Sequence, residues 1–90
     1  MKLKIRNREF EVYSYDANYS FILHLTKQEL EDCFDFYFYG KTVGNEYLIC
    51  ECEIRDRNRF RFVNVCEQNM DSVFEYNDLP EVYDFEEITR

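Results

Sequence analysis

Ninety residues carrying nineteen acidic and eleven basic side chains leave a net charge of −8 at neutral pH. That balance repels nucleic-acid phosphate and anionic membrane, so it either favours a basic protein as partner or serves only to keep the chain soluble. An apolar fraction of 46% is too high for a wholly disordered chain, and 90 residues suffice for one domain, spanning 1–90.

Nine Phe and eight Tyr stand beside no Trp and a single Ala. Phe is expected to build the core. Tyr is divided between the core and a binding surface, because its rigid ring offers large contact area and a polar tip. Residues 1–10 alternate charged with apolar side chains and contain no apolar stretch of the secretory type. No run approaches the roughly 18 apolar residues of a membrane helix. With cysteines at 33, 50, 52 and 66 and no such signals, a cytoplasmic location with reduced thiols is expected.

In chain order, "KLKIRNREFEVYSY" shows two runs of period 2 about an Asn7-Arg8 pair, which predicts a β-hairpin. "DANYS" is a loop, and "FILHL" a short apolar run. "LTKQELEDCF" carries the best local signal. Thr26 with Glu29 three residues later makes a capping box, and Leu25 with Leu30 a hydrophobic staple. A helix is expected from Lys27 to about Phe34. Its early acids Glu29, Glu31 and Asp32 suit the positive end of the helix dipole. "DFYFYGK" then reads as a strand, with Phe34, Phe36 and Phe38 alternating with Asp35, Tyr37 and Tyr39.

Residues 40–45 are a turn. "EYLICECEI" puts Leu48, Cys50, Cys52 and Ile54 on one face, and Tyr47, Ile49, Glu51 and Glu53 on the other. "RDRN" closes a second hairpin onto residues 59–65, where Phe60 and Phe62 oppose Arg61, Val63 and Val65. Residues 66–72 read as a loop or short helical turn. Pro80 forbids one continuous helix or central strand in the tail, leaving an edge strand or irregular segment on each side of it. The expected fold is α+β: a single small domain, a mostly antiparallel β-sheet of four to six strands with one short α-helix packed on a face.

Candidate chemistry is sparse. Cys50 and Cys52 are one residue apart, closer than the two to four intervening residues of structural zinc sites, and read as small core residues. His24, the only histidine, sits in an apolar run and reads as structural or surface. Glu51 and Glu53 share a strand face, roughly 6.5–7 Å apart, with no cleft implied around them. No catalytic residue, metal ligand or cofactor is assigned. Arg55, Arg57, Arg59 and Arg61 surround Phe60 and Phe62, a pattern that can grip a nucleic-acid strand. The total charge opposes that reading, and the same arginines can pair with Glu51, Glu53 and the tail.

The acidic surface remains. Asp71, Glu75, Asp78, Glu81, Asp84, Glu86 and Glu87 crowd the C-terminal segment, with Tyr76 and Tyr83 among them as ring anchors. Glu29, Glu31, Asp32, Asp35, Tyr37 and Tyr39 form a second acidic and aromatic group. A row of carboxylates carries charge much as a phosphate backbone does and can occupy a groove built for nucleic acid. A small, strongly acidic, aromatic-rich chain of this kind resembles the phage-encoded inhibitors of bacterial defence, the anti-CRISPR and DNA-mimic anti-restriction proteins. The likeness rests on size and composition and carries over no functional residue. It implies a non-enzymatic inhibitor acting in the host cell cytoplasm, bound to the basic surface of a nucleic-acid-handling protein, without membrane or direct nucleic-acid contact. A structural or regulatory interaction domain (a subunit or immunity protein with an apolar interface, homodimers included) is the second expectation, and a nucleic-acid-binding domain using the 55–61 hairpin the third.

Overall fold

The computed structural model describes residues 1–16, 18–38, 40, 43–44, 46–74 and 82–88. Among these residues, eight strands and one helix follow in the order β1 (Lys2–Ile5), β2 (Arg8–Asp16), β3 (Ser20–Leu25), α1 (Lys27–Phe34), β4 (Leu48–Asp56), β5 (Arg59–Cys66), β6 (Ser72–Phe74), β7 (Tyr83–Asp84) and β8 (Glu86–Ile88). All pairings are antiparallel, and the strand path runs β6-β5-β4-β3-β2-β1-β8 with β7 also on β5. The α+β class is as expected, but the strand count exceeds four to six. The excess comes from the C-terminal part of the chain, which pairs in three short pieces where longer segments or irregular chain were expected.

Those pieces close the sheet. Tyr83 pairs with Phe60 on β5, and Glu86 with Lys4 on β1, so only Phe85 separates contacts to strands that have three others between them in the path. The sheet therefore rolls up, and the Phe85 amide donates to the Asn58 carbonyl at 2.8 Å beside this seam. The inward faces enclose one hydrophobic cluster. All nine Phe are buried, whereas of the described Tyr only Tyr83 is. The division follows chemistry: a phenol needs a hydrogen-bond partner when buried, and a phenyl ring does not.

The first hairpin forms as expected, but its turn lies one residue earlier. Ile5 pairs with Arg8, and Arg6 and Asn7 take positive φ of 50° and 67°. Positive φ at both central residues is the turn that follows the right-handed twist of the flanking strands. Asn tolerates that conformation; Arg6 is held in it by its side chain. Its guanidinium donates to the Cys33 carbonyl (3.0 Å) and the Asp35 carboxylate (2.9 Å) and lies 4.8 Å from the centre of the Tyr83 ring.

The helix starts where the capping box predicts. The Glu29 amide donates to the Thr26 hydroxyl at 3.1 Å, and the Thr26 amide to the Glu29 carboxylate at 3.0 Å. Replacing Thr26 with Ala is expected to cost about 1 kcal/mol, read as a lowered urea midpoint at unchanged slope. At the other end Asp35 is left-handed (φ 57°), and the Phe36 amide donates back to the Leu30 carbonyl at 3.1 Å. Phe36 and Leu30 are both buried at this stop, the usual apolar accompaniment of such a cap.

This stop explains why residues 35–38 are not the strand that their alternation suggested. Phe36 and Phe38 do face the core, edge-on to Phe74 at 5.1 and 5.2 Å, and Tyr37 is exposed, but no strand among the described residues pairs with them. "FILHL", in contrast, is an interior strand, with β2 on one side and β4 on the other. The expected faces of β4 and the 60–62 part of β5 are observed. Val65 is buried rather than outward, because the register steps from Glu51↔Asn64 to Cys52↔Phe62. Val63 is thus the extra residue of a β-bulge, and the parity of the strand changes there. A similar bulge in β2, with Ser14 at φ 52°, turns Tyr15 toward the core in place of Ser14. The 67–71 segment is a tight loop, closed by the Glu67 amide donating to the Asp71 carbonyl at 2.9 Å.

Candidate partner-binding surface

Five of the nine tail residues expected to bind a partner are described: Asp71, Tyr83, Asp84, Glu86 and Glu87. Glu75, Tyr76, Asp78 and Glu81 lie outside the described residues, as does Tyr39 of the second group. Asp71 belongs to the 67–71 loop, where Asn69 donates to its carboxylate at 3.0 Å. Asp84 sits across from Arg59, and Glu86 across from Lys4. Glu87 falls on the opposite side of β8 from Glu86, since successive strand residues alternate faces. There its charge, after burial, helps raise the pKa of Tyr15. The described tail acids are therefore spread over two strands and a loop.

Tyr83 is a correction. It was expected as an exposed anchor and is instead a core residue, edge-on to Phe34 at 5.3 Å and to Phe62 at 5.7 Å. Its hydroxyl donates to the Phe34 carbonyl at 2.8 Å. That carbonyl belongs to the last turn of the helix, where backbone acceptors lack helical partners. Burial pushes the Tyr83 pKa up to about 12, partly opposed by the nearby Arg6 charge.

In the second group, Glu29 is occupied by the helix cap, Asp32 accepts from Gln28 at 2.8 Å, and Asp35 is paired with Arg6. Glu31 and Tyr37 are exposed. In the arginine hairpin, Arg55 bonds Glu53 at 2.7 Å, Arg59 bonds Asp56, and Arg61 lies across from Glu53.

The feature that reading along the chain missed lies on the outer face of β2, β3 and β4. The rings of Tyr13, His24 and Tyr47 form one stack. His24 is sandwiched, 3.9 Å from Tyr13 with planes 13° apart and 4.3 Å from Tyr47 with planes 4° apart. Tyr13 and Tyr47 are both over 40% exposed, large hydrophobic residues left partly in water. Burial pulls the His24 pKa below its ordinary value, which favours the uncharged ring at neutral pH.

The register places the neighbours. Tyr13, Ile22, Glu51 and Asn64 form one cross-strand row, and His24, Ile49 and Cys66 the next. Ile22 and Ile49 are half-buried beside the rings. Beyond Tyr47 lies an open depression of about 460 Å³, lined by Tyr47 and Leu48, the carboxylates Glu46 and Glu67, and the polar Gln68 and Asn69. Gln68 donates to Glu46 and, at 3.5 Å, to the Tyr47 carbonyl, joining the 67–71 loop to the end of β4. A recognisable signal did exist: had "FILHL" been read as a strand, parity would have sent Ile22 and His24 outward opposite core-facing Leu23.

All four cysteines are free and buried. Burial raises the thiol pKa of Cys50, Cys52 and Cys66, favouring the protonated thiol. No helix among the described residues is long and apolar enough to cross a membrane. No family model, no curated protein and no solved structure matches this chain.

Proposed function

We propose that this chain is a non-enzymatic protein-binding inhibitor, acting in the cytoplasm, whose acidic and tyrosine-bearing surface occupies the basic nucleic-acid groove of a nuclease or another defence effector. The observation that supports it is how the chain uses its cations. Arg6, Arg55, Arg59 and the N-terminal amine are each engaged with a carboxylate, and Lys4 stands opposite Glu86. Glu31, Glu46, Glu51, Glu67 and Asp71 have no ion pair among the described residues, so these five carboxylates leave negative charge without a counter-ion there. Exposed carboxylates, with the exposed Tyr47 beside Glu46 and Glu67, suit lysines and arginines arranged to hold phosphate. The arginine hairpin supports direct nucleic-acid binding less well, because Arg55 and Arg59 are engaged with acids of the same hairpin.

The reading is tested by titrating the protein against bacterial nucleases with basic grooves, at two salt concentrations, with and without duplex DNA. Binding is expected to weaken steeply with salt and to compete with DNA. Reversing Asp78, Glu81, Asp84 and Glu86 to Lys should weaken it on the order of ten-fold or more. Salt-insensitive association that DNA does not displace would instead indicate the interaction domain with an apolar interface.

A further inference from the structure

We propose that the Tyr13–His24–Tyr47 face is the docking site for an arginine-bearing segment of the partner, with a guanidinium stacking on the outer ring face of Tyr47 and donating to Glu46 and Glu67 at the adjoining depression. The assignment rests on the reading above in one respect, that the partner is a cationic protein.

Three features of the face select this occupant. Among the described residues Tyr47 stacks on one ring only, His24 at 4.3 Å, while the residue is 41% exposed and also borders the depression. A flat cation is the ligand that continues a stack of parallel rings, since the ring face is negative and guanidinium is planar and weakly hydrated. An ammonium group gains the charge but not the stacking.

Charge is the second feature. Glu46 and Glu67 line the depression, and Glu51 lies across the strands from Ile22. None of the three has an ion pair among the described residues. Carboxylates without counter-ions beside an exposed ring complement a cation and repel a phosphate, which decides between an arginine side chain and a nucleic-acid base as the stacked group.

The third is rigidity. The rings stand on β2, on the interior strand β3, and one residue before β4, and Gln68 ties the rim of the depression to the Tyr47 backbone. A preorganised face loses little side-chain freedom on binding.

His24 is the only histidine, so its ring proton signals report on the centre of the stack without interference. The experiment follows those signals during titration of the whole protein with a nine-residue peptide of alternating Arg and Ser. Matched Lys-Ser peptide and single-stranded oligonucleotide serve as comparison probes. Saturable His24 shifts with the Arg peptide, at least about three-fold tighter than with the Lys peptide, are expected. Tyr47→Leu and the charge-neutral Glu46→Gln/Glu67→Gln pair should each weaken that binding about ten-fold or more. The backbone amide spectrum of each variant verifies its fold. If Tyr47→Leu does not fold, the Gln pair, which leaves the stack intact, carries the test alone.

Three results overturn the assignment: no His24 shift, equal response to Lys and Arg peptides, or stronger binding of the oligonucleotide. The outcome is separable from the function proposed above. A nuclease bound with steep salt dependence by the wild type and equally by both variants removes this docking site and leaves the inhibitor reading standing. Arginine-selective binding at the stack without any nuclease bound does the reverse.

Discussion

Phe34→Ala is expected to remove about 3–5 kcal/mol of stability, a large share of the roughly 5–15 kcal/mol that holds a domain folded. Phe34 is wholly buried at the last turn of the helix, and its ring meets Phe62 at 5.2 Å, Tyr83 at 5.3 Å and Phe10 at 5.6 Å. Three segments of the chain converge on this side chain: β2, β5 and the closing strand β7. Truncation loses the transfer free energy of the ring, leaves a cavity, and ends the edge-on contacts that add roughly 0.5–1.5 kcal/mol each. The change should lower the thermal midpoint by roughly 12 °C or more, followed by tyrosine near-ultraviolet circular dichroism. Tyr19→Ala, at a ring 69% exposed, is the control and should change stability by less than about 0.5 kcal/mol. Equal effects of the two would mean that the helix end does not plug the core.

Removing one oxygen atom from Tyr83 should cost about 1–3 kcal/mol and also alter the response to alkali. Tyr83→Phe keeps the ring but takes from the Phe34 carbonyl the hydroxyl that donates to it at 2.8 Å in a buried place. The pH effect follows from the pKa near 12 in the fold against about 10 in the unfolded chain. Between those values the folded protein keeps a proton that the unfolded chain has released. Stability from this group is complete below pH 10 and is lost as the pH rises toward 12. Urea midpoints at pH 9 and pH 11 should therefore fall further for the wild type than for Tyr83→Phe. Some alkaline loss should persist in the variant, because burial and Glu87 also raise the pKa of Tyr15. Identical alkaline losses in the two proteins would remove the hydroxyl from the role given to it here.

The seam depends on the same residue. Tyr83 pairs with β5 through its backbone, bonds the helix through its hydroxyl and carries Arg6 on its ring. A side chain with so many internal contacts cannot also anchor a partner. The expectation that placed it on the surface rested on the acidic residues around it in the chain, and these carry no information about the ring itself: Asp84 points out because Tyr83 points in. In a strand, acidity at one position predicts burial at the next as readily as it predicts an acidic face. The three-ring stack was overlooked for a related reason. Tyr13, His24 and Tyr47 come from three separate elements, and nothing in the spacing along the chain brings them together.

Several features were legible without coordinates, and all of them depend on neighbours a few residues apart. The capping box of Thr26 and Glu29, the alternation of Leu48, Cys50 and Cys52, the inward set of Phe60 and Phe62, and the first hairpin are of this kind. Caps and unbulged side-chain parity act within one turn or one pleat, so residue types suffice for them, although the first hairpin turns at Arg6-Asn7 and not at Asn7-Arg8. What only the tertiary structure decided is which extended segments find a ladder. "FILHL" acquired strands on both sides, whereas residues 35–38, with equally good alternation, acquired none among the described residues. Strand pairing, the bulges that shift parity at Val63 and Ser14, and the closure of the sheet by residues 83–88 require partners distant in the chain. A hydrogen-bond ladder and a ring stack are both two-body contacts, and a one-dimensional pattern records only one of the bodies.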